Sequence, residues 1–195
     1  MNYLGHAYLS FHNADLLVGN MAGDHVKGLL ALQAYPEAIQ KGFLLHRKID
    51  HYADRHPANQ RAKLLFRADY RLYSGAITDT VYDHFLANDP TIFPRESELL
   101  LFTQKTYEEL DARISQLPPA FLRYYPNMKE HNWLYNYRNV WGAERSLQGL
   151  ARRAVHMPPV QKAYDIFIAN YYFLNQCYFD FIGDMIAYVK SDAQH

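Results

Sequence analysis

The sequence predicts an all-α, single-domain helical bundle, on three observations. Apolar residues recur at helical spacing along nearly the whole chain. Prolines fall at the joints between these segments, where they suit a first helical turn. Strand signals are poor, because alternation is short and no Asn-Gly hairpin occurs. With 195 residues and no repeat or linker, we expect one helical domain over residues 1–195.

The helical periodicity divides the chain into eight segments. Prolines 36, 57, 94, 118 and 158 mark the starts of five of them, as expected where the first turn leaves backbone amides free. The predicted segments are 13–31, 36–56, 57–72, 74–88, 94–116, 118–138, 140–155 and 158–190.

Tyrosine and phenylalanine are abundant, with 17 and 11 copies, and many fall in the second half. They predict an aromatic-rich helical core. Since tyrosine can bury its ring and leave its hydroxyl at a wet edge, some of them are expected to line a groove for a substrate or partner. The late aromatic residues are Phe121, Tyr124, Tyr125, Trp133, Tyr135, Tyr137, Trp141, Tyr171, Tyr172, Phe173, Tyr178, Phe179 and Phe181.

Composition excludes several classes of protein. The formal net charge is zero, which gives no electrostatic signature for nucleic acid. The single cysteine, Cys177, excludes an intramolecular disulfide and a thiolate zinc cluster. The N-terminal stretch lacks a basic region and is broken by polar residues, unlike a signal peptide. No apolar stretch is long enough to cross a bilayer, so we expect a cytoplasmic protein without a membrane partner.

Three polar pairs at i, i+4 spacing stand in otherwise apolar helical stretches: Asn20/Asp24, His46/Asp50 and Asp79/Asp83, with His84 adjoining the last. Residues four apart lie on the same helix face, so each pair can present two ligands to one point. Together with His6, three such helices would build a mixed His/Asp site suited to a divalent metal. The alternative is that the pairs are structural, in a non-catalytic helical binding protein.

Neighbouring titratable residues fit such a site less well. His25 and His51 point about 100° away from the chosen faces on a helix. Asp54, one turn beyond Asp50, is expected to be structural or ion-paired.

Four motifs in order carry a resemblance to a known family: MNYLGHAYLS, GNMAGDHVKG, HRKID and DTVYDHFL. With a weaker likeness through WLYNYRNVWGAERSLQGLARR, the chain resembles the acyl carrier protein phosphodiesterases, or ACP hydrolyases. The resemblance implies hydrolysis of the phosphodiester that links 4′-phosphopantetheine to a carrier-protein serine. It also implies an HD-like fold and one or two Mn²⁺ ions, with Mg²⁺ or Fe²⁺ as alternatives.

The resemblance also implies site residues. The expected metal ligands are Asp24, His46, Asp50, Asp79 and Asp83, and the expected catalytic residues are His6, Arg47 and His84. Asn20 is expected to orient a ligand. Arg47 would clamp a phosphoryl oxygen, and His84 or His6 would protonate the leaving serine oxygen. The chain departs from the HD pattern, since its Asp-His dipeptides reverse the usual His-Asp order.

An acidic carrier protein as partner would require local positive charge. A basic run follows the predicted site and is the favoured docking surface: Arg47, Lys48, Arg55, Arg61, Lys63, Arg67 and Arg71. A second cluster comprises Arg145, Arg152 and Arg153. The alternative substrate is a nucleotide or another small phosphodiester.

Overall fold

A computed structural model describes residues 1–154 and 156–192 of the chain. It is 79% helical, and the described residues form no β-strand, which confirms the all-α prediction. None of the described helices is long and apolar enough to cross a membrane. The last residue of the predicted segment 140–155, and residues 193–195 of the predicted domain, lie outside the described residues.

The described α-helices are α1 (Tyr3–Tyr8), α2 (Ala14–Ala22), α3 (Leu29–Leu32), α4 (Glu37–Arg55), α5 (Pro57–Tyr70), α6 (Ser74–Ala87), α7 (Glu96–Ala112), α8 (Pro119–Leu122), α9 (Tyr125–Glu130), α10 (Trp133–Asn136), α11 (Val140–Arg153), α12 (Gln161–Ala169) and α13 (Tyr171–Asp192). Short 3₁₀ turns follow α2, α5 and α7, at Gly23–His25, Arg71–Tyr73 and Ile114–Gln116.

Three predicted segments were wrong in extent. The segment 13–31 ends as an α-helix at Ala22, and a 3₁₀ turn carries the chain onward. The segment 118–138 is divided into three short helices, with Asn132 in the left-handed region at φ 43°. The segment 158–190 is divided at Asn170, which ends α12.

Helix α1 was not predicted, because its N-terminal cap comes from a distant part of the chain. The backbone amides of Asn2, Leu4 and Gly5 donate to the carboxylate of Asp83 on α6, over 3.1, 2.7 and 3.1 Å. A carboxylate at a helix N-terminus satisfies free amides and complements the helix dipole. This contact fixes α1 against α6.

Helices α2 and α4 pack most closely, and they lie at the centre of the site described below. Gly19 of α2 and Gly42 of α4 make this approach possible. A Cβ on Gly19 would overlap the carbonyl oxygen of Ile39, and one on Gly42 would lie 2.5 Å from that of Leu16. Since backbone lies against backbone, neither helix can yield by turning a side chain.

We expect Gly42→Ala to lower the free energy of unfolding by about 1–3 kcal/mol, since it forces two helices apart in a packed core. Gly183→Ala is the matched control, because Gly183 of α13 has nothing within 4 Å of an added Cβ. The control should gain stability from alanine's helix propensity. Urea denaturation followed by circular dichroism measures both. Equal stability of the two variants would contradict the close contact.

Candidate metal centre

Three of the predicted residues come together at one point, and Asp24 adjoins them through His46. A ring nitrogen from His6, a ring nitrogen from His46 and a carboxylate oxygen from Asp50 lie within 4.8 Å of one another. The Nε2 atom of His46 lies 3.2 Å from Asp50 Oδ2 and 3.3 Å from Asp24 Oδ1, and His6 Nε2 lies 3.3 Å from Asp50 Oδ1. The two imidazoles stack, with centroids 4.0 Å apart. These four side chains form the His/Asp cluster.

Asn20 orients both imidazoles of the cluster. Its side-chain oxygen lies 2.7 Å from His6 Nδ1, and its backbone carbonyl lies 2.8 Å from His46 Nδ1. The amide group of Asn20 donates to the His6 carbonyl and to Ser10, which assigns its side-chain oxygen as an acceptor. Both histidines therefore donate through Nδ1 and present Nε2 to the carboxylates. Metal-binding histidines are commonly held in this way by carbonyl acceptors.

The hydrogen bonds of the two histidines show which ring nitrogens are available to bind a metal. In a neutral His6 the Nε2 lone pair faces the carboxylate of Asp50, because the proton is on Nδ1. Two acceptors facing each other need positive charge between them, which either a proton or a metal cation can supply. Imidazole nitrogen and carboxylate oxygen are ligands that suit Mn²⁺, Fe²⁺ and other divalent ions. The donor set of the cluster therefore fits a divalent metal.

The charges of the cluster agree with this reading. Burial lowers the pKa of His46, but its hydrogen bonds with Asp24 and Asp50 raise it to about 10. Burial and the neighbouring His46 lower the pKa of His6. Burial opposes ionisation of Asp50, but its hydrogen bonds with the two histidines hold its pKa well below the usual range. Without metal, a proton on His46 supplies the positive charge that these carboxylates require.

Asp24 contacts the cluster as predicted, but from a different backbone geometry than the sequence indicated. It lies in the 3₁₀ turn after α2, so Asn20 and Asp24 do not share an α-helix face as predicted. The hydrogen bond with His46 lowers the pKa of Asp24. Its side chain is 77% exposed, whereas that of His46 is 6% exposed. Asp24 therefore lies on the open side of the cluster.

Asp79 and Asp83 share a face of α6, as predicted, but contact other groups. Asp79 Oδ1 lies 2.9 Å from the amino nitrogen of Met1, and Asp79 lines a cavity of about 420 Å³ together with Asp24 and Asp50, which we call the acidic cavity. Both oxygens of Asp83 accept backbone amides of α1. The structure thus places Asp79 beside the cluster and gives Asp83 a capping position.

His84 and Arg47 lie outside the cluster. The two ring nitrogens of His84 lie 2.8 Å from the Tyr137 carbonyl and 2.9 Å from the Tyr171 hydroxyl. Arg47 donates to the backbone carbonyl of Val26 over 3.3 Å. Neither residue lines the acidic cavity. This arrangement gives no support to their predicted catalytic roles, because both ring nitrogens of His84 and one guanidinium nitrogen of Arg47 are engaged elsewhere.

The sequence reasoning missed several residues of the acidic cavity. His25 lines this cavity. An α-helix would point His25 away from the site, as the sequence predicted, but the residue lies in a 3₁₀ turn, where that angle does not apply. Arg123 and Arg153 also line it, one after α8 and the other at the end of α11. Because Arg123 and Arg153 lie thirty residues apart in the chain, no helical spacing pattern links them in the sequence. Arg153 does belong to the predicted second basic cluster.

A larger cavity of about 750 Å³ adjoins the acidic cavity. Tyr124, Trp133, Tyr137 and Trp141 line it, in agreement with the predicted aromatic groove. We call it the arginine cavity, for the four arginines in its lining: Arg123, Arg145, Arg152 and Arg153.

The favoured basic run is partly neutralised by ion pairs. Lys48 lies 2.7 Å from Asp192, Arg61 lies 2.5 Å from Asp180, and Lys63 pairs with Asp54. The pair with Lys63 confirms the expectation that Asp54 is ion-paired. None of the four arginines of the arginine cavity pairs with a carboxylate of residues 1–154 or 156–192. The second cluster is therefore the better candidate for an anionic ligand.

Fold and site together define an all-helical protein with a His/Asp cluster whose two histidines are buried and whose donor set fits a divalent metal. The chain belongs to the acyl carrier protein phosphodiesterase family, whose profile matches residues 1–185. The acyl carrier protein phosphodiesterase of Enterobacter sp. (strain 638) is 27% identical over 191 residues, which is 98% of each chain. Those of Salmonella paratyphi A and Salmonella agona are 27% identical over 187 residues, or 96% of each chain. No solved structure matches the chain.

We expect Gly23→Ala to weaken metal binding without altering a ligand. A Cβ at Gly23 would overlap the imidazole of His46, which must then move away from the carboxylates. A displaced ligand typically costs about 10–100-fold in metal affinity. Titration with Mn²⁺ measures the dissociation constant, with Gly183→Ala as the control. Unchanged affinity in Gly23→Ala would show that His46 is not held as described.

Proposed function

We propose that this protein is a metal-dependent phosphodiesterase that hydrolyses the phosphopantetheine–serine linkage of holo-acyl carrier protein. The products would be apo-acyl carrier protein and 4′-phosphopantetheine. Membership of the family supports the substrate class and the reaction. The single observation that carries the metal dependence is the orientation of His6 and His46, whose Nε2 atoms face carboxylates.

His6, His46, Asp50 and Asp24 would hold the metal, and Asn20 would keep both imidazoles in the required tautomer. A divalent cation at this point supplies a Lewis acid, which activates water near neutral pH and offsets charge on the phosphoryl oxygens. Asp24, exposed on the open side, would accept a hydrogen bond from the attacking water through its second oxygen and orient it. Asp79 lines the same cavity, where its carboxylate pairs with the amino group of Met1.

The test is an assay on holo-acyl carrier protein read by mass spectrometry. The protein is assayed with Mn²⁺, after chelation, and after Mn²⁺ is restored. We expect loss of the phosphopantetheine mass with Mn²⁺, none after chelation, and recovery on restoration. Intact holo-protein alongside hydrolysis of bis(p-nitrophenyl) phosphate would favour the small-phosphodiester alternative. No hydrolysis of either substrate and no bound metal would contradict the proposal.

A further inference from the structure

The arginine cavity is positively charged, because its four arginines face no acidic side chain among the described lining residues. All four of its arginines are exposed. The whole chain has 20 basic and 20 acidic residues, so its formal charges balance. A cavity lined by four arginines and no acidic side chain is therefore a local excess of positive charge, which suits an anionic group. Its volume of about 750 Å³ lies within the range of roughly 300–1,000 Å³ typical of small-molecule pockets.

The arginine cavity lies directly beside the acidic cavity. Both cavities share Asn2, Tyr3, Arg123, Tyr124 and Arg153 in their linings. Arg123 and Arg153 therefore lie at the junction, with the metal centre on one side and the aromatic lining on the other. A guanidinium offers a planar fork of donors that matches two phosphoryl oxygens. A phosphate at the junction would meet arginine on one side and the cluster on the other.

Beyond the junction, the lining suits a neutral amide chain. Trp133 and Trp141 offer apolar surface, and Asn127, Asn136 and Gln148 offer amide donors and acceptors. The guanidinium of Arg145 lies over the ring of Trp141, 4.8 Å from its centroid, so a cation and an aromatic face meet on this wall. Aromatic surface and a few polar groups are what a mixed apolar and amide ligand requires.

We propose that the arginine cavity binds the pantetheine arm of the substrate, with its phosphate held by Arg123 and Arg153 at the junction with the acidic cavity. This inference rests on the proposed function and adds where the prosthetic group lies. Arg123 and Arg153 take the place that the sequence assigned to Arg47. The arm offers two amides and apolar methyl groups, and it ends in the one phosphate that reaches the metal centre.

Tryptophan fluorescence tests the proposal directly, because the chain has two tryptophans and both line this cavity. The Mn²⁺-loaded protein is titrated with 4′-phosphopantetheine, pantetheine, inorganic phosphate and apo-acyl carrier protein. We expect a saturable change with 4′-phosphopantetheine, and binding about tenfold or more weaker with pantetheine, which lacks the charge-assisted bonds. No change with 4′-phosphopantetheine, but a change with apo-carrier protein, would overturn the proposal in favour of a protein-docking face.

Two variants refine this test. Arg153→Gln should weaken 4′-phosphopantetheine binding about tenfold and leave pantetheine binding unchanged, since it removes only a phosphate contact. Arg95→Gln is the matched control, because Arg95 is exposed, pairs with Glu98 and lines neither cavity. Equal loss of both ligands in Arg153→Gln would overturn the assignment of the phosphate to the junction.

The outcome is separable from that of the proposed function. Hydrolysis of holo-carrier protein without any fluorescence response to 4′-phosphopantetheine would refute the arm site and leave the activity standing. A saturable response without hydrolysis would support the arm site and refute the catalytic claim.

Discussion

Asp50→Asn is expected to remove the bound metal and to slow hydrolysis of holo-acyl carrier protein by about a thousandfold or more. Asp50 contacts both imidazoles, with one oxygen 3.3 Å from His6 and the other 3.2 Å from His46. Asparagine has one such oxygen and no charge, so it cannot serve both histidines and a cation together. The loss corresponds to several kcal/mol of transition-state stabilisation.

Metal content after dialysis and hydrolysis by mass spectrometry measure this effect. Asp54→Asn is the matched control, since Asp54 lies one turn further along α4 and pairs with Lys63. The control should keep both its metal and its activity, because an exposed ion pair contributes little. An Asp50→Asn protein that binds Mn²⁺ as tightly as the wild type would remove Asp50 from the metal centre.

Asp83→Ala is expected to destabilise the fold by about 3 kcal/mol or more. The buried carboxylate of Asp83 accepts three backbone amides at the start of α1, and each buried donor left unpaired costs about 1–3 kcal/mol. Asp83→Asn should not restore stability fully, because an amide nitrogen cannot accept from a backbone N–H. Urea denaturation measures the change, with the exposed Asp165→Ala as control.

This experiment also decides the role that the sequence predicted for Asp83. A capping residue affects stability first, and metal binding only as far as α1 and His6 are displaced. A metal ligand would instead lower metal affinity in a protein of wild-type stability. Full stability of Asp83→Ala with lost metal would restore Asp83 to the predicted ligand set.

Most of the fold could be predicted from the sequence, because apolar periodicity and proline positions are local properties. Helices α4, α5, α6 and α11 lie within two residues of the predicted segments at each described end. Helix α1 could not be predicted, since six residues are too few for a periodic signal and the cap is about eighty residues away. The turn at Gly23–His25 likewise depends on packing against His46 rather than on local pattern.

The residues of the candidate site also differ in whether local sequence could predict their contacts. The pair His46/Asp50 could be predicted, because both residues lie on one face of α4. The contact of His6 with Asn20 joins α1 to α2 and exists only in the folded chain. The hydrogen bonds of His84 could not be foreseen, since one partner is the backbone carbonyl of Tyr137. The i, i+4 spacing in the sequence identifies candidate ligands that share a helix face. Tertiary contacts determine which of these candidates come together in the folded chain.

The close contact of Gly19 with Gly42 bears on how such a chain can diverge. Because backbone meets backbone there, the distance between α2 and α4 does not depend on the sizes of other core side chains. Asn20 follows one glycine, and His46 lies one turn after the other, so the residues of the His/Asp cluster inherit this fixed spacing. We expect substitutions elsewhere in the apolar core to disturb the cluster less than substitutions at either glycine.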